Sequence, residues 1–303
     1  MEYNEAYGRY VGMIEETIGT LLPQTAVECP ADGEIPAHLC ETMRYSLLAG
    51  GKRVRPVLLL AACEMLGGAL EQARVPAAAL EMIHTYSLIH DDLPGMDDDD
   101  YRRGRLTNHK VYGVGHAILA GDGLLNYAYE CLMKNALAYP QNLMGHVRAA
   151  DVIARRAGVS GMIAGQSIDL LSEHMEPEAQ RLCYIHAHKT ADLLTAPLLA
   201  AGCIAGADGA QMEALSRFGA CVGLAFQIDD DLLDVEGDAQ EMGKQTGMDA
   251  QRGKMTWTAL FGVAQSRARS QELWSQAEDA LGIFGERAWF LRAFAETLRN
   301  RKK

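Results

Sequence analysis

Two short stretches of the chain are crowded with carboxylates. Six of the ten residues from Asp91 to Asp100 are acidic, and so are six of the ten from Asp229 to Asp238. Neighbouring like charges destabilise a helix surface, and one acidic stretch alone is as typical of a solvated helix end as of a site. Two such stretches, each following an apolar segment, indicate bound divalent cations, because Mg²⁺ takes carboxylates together with water and phosphate oxygens.

The first acidic stretch closes an apolar helix. Pro94 disfavours helical geometry at Leu93, so the chain is expected to bend and to bring Asp97 back towards Asp91. His84 precedes Asp91 by seven residues, which is two helical turns, or about 10.5 Å, along the same face. This placement makes His84 a candidate site residue, and a buried structural histidine is the alternative.

The second acidic stretch has the spacing of one helical face. Asp230 and Asp234 are four residues apart, and Gln227 stands three residues before Asp230. The three side chains are therefore expected to point the same way. An Asp-Asp pair also ends the apolar helix of the first stretch, 139 residues earlier. This repetition indicates two helices that face each other with their carboxylates.

Basic side chains that suit phosphate groups occur in several regions. Glycine lets the backbone approach an anion, and arginine binds phosphate through two parallel hydrogen bonds. A single lysine or arginine is usually a solvated surface group, so the signal comes from their number and their neighbours. The regions are Gly50-Gly51-Lys52-Arg53-Val54-Arg55, Arg102-Arg103-Gly104, Lys189-Thr190, and the pairs Gly243-Lys244 and Gly253-Lys254.

The remaining sequence is typical of helices. Alanine, leucine and methionine recur at spacings of three and four, whereas alternation of strand type is almost absent, which predicts an all-α bundle. No stretch has the composition of an interdomain linker, so a single domain is expected over residues 1–303, with a glycine-containing surface loop at residues 236–253. The predicted helices span residues 3–20, 35–49, 53–67, 72–92, 110–137, 142–157, 160–172, 177–206, 210–235, 254–266, 268–283 and 286–301.

Composition argues against several classes of protein. The formal charge is 28 − 40 = −12, whereas nucleic-acid binding needs an excess of basic groups. The 7 cysteines form no CxxC pair, so disulfides and zinc are not indicated and a cytoplasmic location is expected. The longest uncharged run, residues 193–207, has 15 residues, fewer than the ~20 that a membrane span needs. The N-terminus has no signal-peptide pattern, so no membrane insertion is expected.

These motifs, in their order along the chain, resemble those of the short-chain trans-isoprenyl diphosphate synthases, and most specifically those of the bacterial farnesyl diphosphate synthases. The match runs over nearly the whole chain and also includes Gly165-Gln166 and Phe226-Gln227. The resemblance implies an all-α homodimer of isoprenoid synthase type, with prenyl diphosphates as substrates. Each subunit would surround a central apolar cavity, and three Mg²⁺ ions would bridge the two aspartate motifs to an allylic diphosphate at its mouth.

The resemblance also implies a role for each matching residue. Three carboxylates would bind Mg²⁺ with three others in support: Asp91, Asp97 and Asp230, then Asp92, Asp231 and Asp234. The allylic diphosphate would be held by Arg102, Lys189, Thr190, Gln227, Lys244 and Lys254, and isopentenyl diphosphate by Lys52, Arg55, His84 and Arg103. The aspartates and basic groups would stabilise the diphosphate that leaves when the allylic carbon–oxygen bond breaks.

Product length is expected to depend on the residues one to two turns before Asp91. Ser87 and Tyr86 lie four and five residues earlier, about 6–7.5 Å along the helix. In the family an aromatic side chain at this place closes the cavity, which favours the fifteen-carbon farnesyl diphosphate. The twenty-carbon geranylgeranyl diphosphate is the alternative product, and a buried aromatic residue without any such role is the alternative interpretation of Tyr86.

Two segments near the C-terminus fit the family pattern less well. After Lys254 the family usually has a small residue, Thr, Tyr and Pro, whereas this chain has Met255-Thr256-Trp257-Thr258. The basic tail at residues 299–303 is typical of a helix end that complements the helix dipole, and contact with a diphosphate is the alternative.

Three other functions fit parts of the pattern. A terpene cyclase uses similar metal-bound acids but takes no second diphosphate, which leaves Lys52, Arg55 and His84 without a role. A non-catalytic partner subunit could lose aspartates, and this chain keeps all of them. A structural or cation-buffering bundle leaves the basic groups unexplained. The sequence therefore favours a trans-prenyltransferase.

Overall fold

The computed structural model describes residues 2–22, 24, 27, 28, 31, 34–173, 175–236 and 255–301. Within these ranges the chain is almost entirely helical, which confirms the all-α prediction. The described β-structure is one antiparallel pair of short strands, β1 (Tyr101–Arg102) and β2 (Arg105–Leu106). No helix in the described ranges is long and apolar enough to cross a bilayer. The helices are α1 (Tyr3–Leu21), α2 (Ala37–Leu47), α3 (Val54–Met65), α4 (Leu70–Asp91), α5 (Asn108–Tyr112), α6 (Val114–Ala138), α7 (Leu143–Ala157), α8 (Met162–Ser172), α9 (Ala179–Ile185), α10 (Asp192–Ala205), α11 (Gly209–Glu236), α12 (Trp257–Ala280) and α13 (Trp289–Arg299), with 3₁₀ turns at Pro140–Asn142 and Leu281–Ala288 and a π-helix at His186–Ala191.

Contacts between Cα atoms divide the chain into two compact units. The first comprises Met1–Leu60 and Ala69–Ala150, and the second comprises Ala61–Gly68 and Asp151–Lys303. The single domain predicted over residues 1–303 stays a prediction.

The first unit is organised around α4. Ala77, Leu80 and Ile83 are fully buried along this helix, so α4 is a core element rather than a surface helix. It packs closely on α6, because a Cβ placed at Gly121 would lie 2.1 Å from Nε2 of His90. The core therefore fixes the C-terminal end of α4, where the first acidic stretch begins.

The second unit is organised around α10 and α11. Ala196 and Leu198 on α10 and Phe218 on α11 are fully buried. Close approach of α11 to the residues just before α10 requires a glycine, since a Cβ at Gly223 would lie 2.4 Å from Cβ of Ala191. The helix that carries the second acidic stretch thus packs directly against the π-helix.

Three predicted helix boundaries differ from the structure. The helix predicted over 177–206 is interrupted by the π-helix, in which backbone hydrogen bonds span five residues instead of four. The helix predicted over 110–137 is broken at Gly113. The break predicted at residue 267, between helices 254–266 and 268–283, lies five residues earlier, where Gly262 interrupts α12 with a non-helical conformation. Both glycines adopt positive φ, 85° and 74°, a conformation that hydrophobic spacing does not reveal.

Candidate active site

A basic cavity of about 400 Å³ lies at the start of α3 in the first unit. All four residues predicted to bind isopentenyl diphosphate line it, together with one carboxylate. The lining residues are Gly51, Lys52, Arg53, Val54, Arg55, Glu81, His84 and Arg103. The structure therefore gathers Lys52, Arg55, His84 and Arg103, which are as many as 51 residues apart in sequence, around one concave surface.

Backbone geometry allows Arg103 to enter this cavity. Gly51 adopts φ +131°, and a Cβ at this position would lie 2.7 Å from the guanidinium carbon of Arg103. Arg103 itself has φ 54° in the turn between β1 and β2, and it donates a hydrogen bond to the carbonyl of Gly50. The absence of a side chain at Gly51 thus lets Arg103 approach the backbone, a role beyond the predicted approach of an anion.

Burial and mutual repulsion make the cavity suited to an anion. Burial, with the nearby charge of Arg103, lowers the pKa of Arg55 to about 10 although Glu81 opposes the shift. Nε of Arg55 is buried and has no hydrogen-bond partner among the residues that the structure describes. Burial, together with Arg55 and Arg103, also holds the pKa of His84 well below 6.5. A diphosphate would relieve the repulsion between these cations and provide acceptors for them.

Arg53 is among the residues that line the cavity, but its guanidinium is bound in the protein interior. Its side chain is fully buried, and it donates to Glu15 and Glu81 at 2.7 Å each and to the carbonyl of Leu47 at 2.8 Å. Sequence analysis counted Arg53 with Lys52 and Arg55 as cations suited to phosphate, and that interpretation was wrong. Glu81, an acid on the buried face of α4, was the signal that could have revealed the ion pair.

The first acidic stretch bends as predicted. The backbone N–H of Asp97 donates to the carbonyl of Asp91 at 2.9 Å, so the chain returns to the helix end after Pro94. Lys110 lies 2.7 Å from Asp100, which gives that carboxylate a partner within the same unit. Asp91 and Asp97 are therefore the pair that the local fold brings together.

Asp92 and Arg102 contact each other directly. Arg102 Nε lies 2.7 Å and Nη2 2.6 Å from Asp92 Oδ1. Asp92 is only 3% exposed, and burial raises the pKa of its carboxyl although Arg102 opposes the shift. The predicted supporting carboxylate and the predicted diphosphate-binding cation thus neutralise each other.

The three consecutive aspartates of α11 contact different partners. Asp229 accepts from Nε1 of Trp274 at 2.8 Å and from the hydroxyl of Ser270, both on α12. Asp230 accepts from Nη2 of Arg301 at 2.5 Å. The predicted alignment of Asp230 with Asp234 holds, since α11 is helical through both residues. Asp229 and Asp230 are therefore both held by donors of the second unit. Asp230 and Asp234 lie on the same face of α11.

Asp231 is held by the next helix. It is 5% exposed, and its Oδ2 accepts from the backbone N–H of Trp257 at 2.7 Å. The indole of Trp257 donates to Nδ1 of His186 at 2.9 Å. Sequence analysis missed Trp257, Trp274 and Arg301, because the donors lie 26 to 71 residues from the aspartates that they contact and follow no local motif.

The π-helix gathers three predicted ligands of the allylic diphosphate. Thr190 Oγ1 donates to Gln227 Oε1 at 2.6 Å, and Lys189 Nζ lies 2.5 Å from Asp169 Oδ2. A Cβ at Gly165 would lie 2.2 Å from the backbone nitrogen of Lys189, so α8 packs directly on this segment. Single π turns are frequent at functional sites. Lys244 and Lys254, and the loop predicted over 236–253, lie mostly or entirely outside the described residues.

The candidate chain-length residues lie on α4. Tyr86 is 5% exposed, its ring centroid is 5.7 Å from that of His90, and its hydroxyl has no hydrogen-bond partner in the described part of the chain. Burial raises the pKa of this hydroxyl. Ser87 donates to the carbonyl of His84 at 2.9 Å within the same helix. Tyr86 is thus buried beside His90, and Ser87 donates a local hydrogen bond within α4.

The carboxylates of the two aspartate motifs suit Mg²⁺, but they do not complete its coordination by themselves. In the described ranges no group of three or more His, Cys, Asp and Glu side chains could hold a metal ion. Mg²⁺ is commonly held by one or two carboxylates, with water and substrate phosphate completing its coordination. Asp91 with Asp97, and Asp230 with Asp234, offer hard oxygen ligands of this kind.

Curated proteins of one family match the chain. A family model described as polyprenyl synthetase matches residues 36–281. The chain is 44% identical over 279 residues to a dimethylallyltranstransferase of Fischerella ambigua, which covers 92% of this chain and 80% of that protein. It is 46% identical over 251 residues to geranylgeranyl pyrophosphate synthase 9, chloroplastic, of Arabidopsis thaliana, which covers 81% of this chain and 69% of that protein.

Solved structures agree with this family. An FPP/GFPP synthase from Zymomonas mobilis superimposes with a TM-score of 0.83 at 32% identity, over 97% of this chain and 98% of that one. A geranyltransferase from Helicobacter pylori, complexed with magnesium and isoprenyl diphosphate, superimposes with a TM-score of 0.78 at 30% identity, over 97% and 96%. The chain therefore belongs to the polyprenyl synthetase family and is a short-chain trans-prenyltransferase.

Proposed function

We propose that the chain condenses isopentenyl diphosphate with allylic diphosphates and that its main product is the twenty-carbon geranylgeranyl diphosphate. The product length rests on relatives: most of the similar curated proteins, 41–46% identical, are named geranylgeranyl diphosphate or pyrophosphate synthases. They favour this product over the fifteen-carbon one that Tyr86 predicts.

The observation that carries the condensation is the basic cavity of the first unit. It joins Lys52, Arg55, His84 and Arg103, and these groups suit the diphosphate of isopentenyl diphosphate. A second group of diphosphate ligands, Lys189, Thr190 and Gln227, belongs to the second unit. A terpene cyclase ionises one prenyl diphosphate and needs only one such set, so two sets favour a reaction with two substrates.

The allylic substrate is ionised by the aspartates and the π-helix. Asp91, Asp97 and Asp230 would hold Mg²⁺, which supplies positive charge to the departing diphosphate. Lys189 and Thr190 bind the diphosphate oxygens and stabilise the negative charge that develops as the carbon–oxygen bond breaks. In the structure Lys189 is paired with Asp169 and Thr190 donates to Gln227, so both side chains exchange these partners for diphosphate oxygens when the substrate binds.

The second substrate is oriented by the basic cavity. Lys52, Arg55 and Arg103 bind its diphosphate, and His84, whose lowered pKa keeps the imidazole neutral, donates a hydrogen bond without adding charge. The isopentenyl double bond then attacks the allylic carbon, and the proton lost from the adduct goes to the departing diphosphate. No side chain needs to form a covalent intermediate.

Farnesyl diphosphate is the second candidate product. Tyr86 favours it, because a buried aromatic ring five residues before Asp91 would shorten the space available to a growing prenyl chain. The two candidates differ only in where elongation stops.

We also propose a homodimer with Mg²⁺ as cofactor, three ions per site. The support for a dimer is an apolar stripe on α6, where Ile118, Leu119, Met133 and Leu137 are 41% to 75% exposed, since a surface of this kind is typical of a protein interface. Light scattering of the purified protein tests it. The cytoplasmic location stays a prediction, as the Arabidopsis relative is named chloroplastic.

One assay tests the function and the product. The purified protein is incubated with Mg²⁺, labelled isopentenyl diphosphate and dimethylallyl diphosphate, and the products are dephosphorylated and separated by length. Geranylgeraniol as the main alcohol supports the proposal, and farnesol supports the second candidate. Absence of elongation would overturn both and would point to a cyclase or a regulatory subunit.

A further inference from the structure

Trp257, the first residue of α12, contacts both the second acidic stretch and the π-helix. Its backbone N–H donates to Asp231 Oδ2 at 2.7 Å, and its indole N–H donates to His186 Nδ1 at 2.9 Å. The three residues are 8%, 5% and 6% exposed, in that order. One buried residue therefore joins two elements that carry different parts of the proposed allylic site.

The backbone contact places a carboxylate at the start of a helix. Thr256 caps α12, since its Oγ1 accepts from the backbone N–H of Ala259 at 3.2 Å. The N–H of Trp257 is one of the first amides of the helix, which have no partner inside it, and the helix dipole favours a negative charge there. Asp231 satisfies this amide, and its fixed position sets the rotation of α11 at Asp230.

The hydrogen bond from the indole of Trp257 holds the start of the π-helix. His186 begins the π-helix, and Lys189 and Thr190 follow three and four residues later. A π turn is rare and short, so its geometry depends on contacts with its surroundings. The indole N–H needs an acceptor, which requires that Nδ1 of His186 be unprotonated and holds the ring in one orientation.

We propose that Trp257 is a positioning residue for the allylic diphosphate. It holds the aspartates of α11 and the π-helix in one relative placement, so that Asp230 and Lys189 meet the same diphosphate and its cation. The inference rests on the proposed function, because it takes the allylic diphosphate to bind between these groups.

The test compares two substitutions on the same helix. Trp257→Phe removes one buried indole donor and keeps the aromatic ring. Trp274→Phe does the same for the bond to Asp229, which has no part in the proposed site. Both variants lose one buried hydrogen bond, and Trp274→Phe should lose the larger amount of stability in urea denaturation, because its acceptor is a carboxylate.

Only Trp257→Phe should change ligand binding. We expect the KM for the allylic diphosphate and the dissociation constant for inorganic diphosphate with Mg²⁺, measured by calorimetry, to rise about tenfold, the effect of one buried hydrogen bond. The KM for isopentenyl diphosphate should stay unchanged, and Trp274→Phe should match the unaltered protein in all three constants.

Equal constants for the two variants, in a protein that elongates prenyl chains, would overturn the positioning role while the proposed function stands. An unaltered protein that fails to elongate any allylic diphosphate would instead overturn the proposed function. A second pair keeps the test valid if Trp257→Phe does not fold. His186→Asn retains an acceptor near the indole and should bind normally, whereas His186→Leu removes it and should bind about tenfold more weakly.

Discussion

Arg53 and Glu81 form a buried ion pair beneath the basic cavity, with Nη1 and Oε1 2.7 Å apart and side chains 0% and 2% exposed. Arg53 adopts φ 49°, so the pair also holds a strained backbone at the start of α3. The residues on either side of this anchor, Lys52 and Arg55, line the cavity. The geometry of the cavity therefore depends on a cation whose guanidinium is already occupied by two carboxylates and a backbone carbonyl.

Arg53→Leu should destabilise the fold by about 3–5 kcal/mol, because it leaves the Glu81 carboxylate buried without its cation. Urea denaturation measures the change. Arg155→Leu is the matched control, since its pair with Asp151 is exposed and should contribute less than about 1 kcal/mol. The double variant Arg53→Leu with Glu81→Leu should recover much of the loss, and no recovery would contradict the ion-pair explanation.

Arg55→Gln should weaken binding of isopentenyl diphosphate about 10- to 100-fold, the range expected for a charge-assisted hydrogen bond. The KM for the allylic substrate should change little. Steady-state kinetics with each substrate varied in turn separates the two effects. Arg105→Gln alters an exposed arginine that packs on Tyr45 and serves as the control. A rise in both KM values for Arg55→Gln would show a general loss of structure instead.

Stability should fall as the pH is lowered from about 6.5 to about 4, because burial lowers the pKa of His186 to about 4. The unfolded chain, with an ordinary histidine pKa near 6.5, binds a proton in this range before the folded chain does. The stabilisation is therefore complete above pH 6.5 and is reduced by about 2–3 kcal/mol at pH 4.5. Urea midpoints across this range measure it.

The His186→Asn variant isolates that contribution from other acid effects. It keeps an acceptor for Trp257 but has no titrating group, so its stability should fall less steeply over the same pH range. Identical slopes for the variant and the unaltered protein would exclude His186 as the source.

Tyr86→Phe should leave stability unchanged or raise it by about 1 kcal/mol. The hydroxyl is buried without a hydrogen-bond partner in the described residues, so the folded state gives up its hydration without compensation. Thermal unfolding measures the change. A loss of stability would reveal a partner for the hydroxyl, and a shift in product length would identify this atom as part of the chain-length control.

Helical spacing and apolar composition were sufficient to predict most of the helices. α4 and α10 are buried on nearly every side, as is typical of helices that are apolar all round. The return of Asp97 to Asp91 also followed from one local rule, the effect of Pro94 on the preceding residue. Predictions succeeded where a structural feature is caused by residues that lie close together in sequence.

The π-helix and the ion pair of Arg53 could not be predicted in this way. A π turn is short and rare, so the α-helical spacing on either side of it dominates the pattern. Sequence also does not show whether an arginine beside a glycine pair faces a cavity or the core. The donors to Asp229 and Asp231 come from α12, and such pairings depend on packing between distant segments.

Three basic side chains near the two aspartate motifs and the π-helix already hold carboxylates. Arg102 contacts Asp92, Lys189 contacts Asp169, and Arg301 contacts Asp230. If the proposed function holds, entry of a diphosphate would be an exchange of partners, in which a cation leaves a carboxylate for a phosphate oxygen and a freed aspartate of the two motifs can turn to a metal ion. Measured affinity would report the difference between two sets of ion pairs, and diphosphate and Mg²⁺ would each bind weakly alone and strongly together.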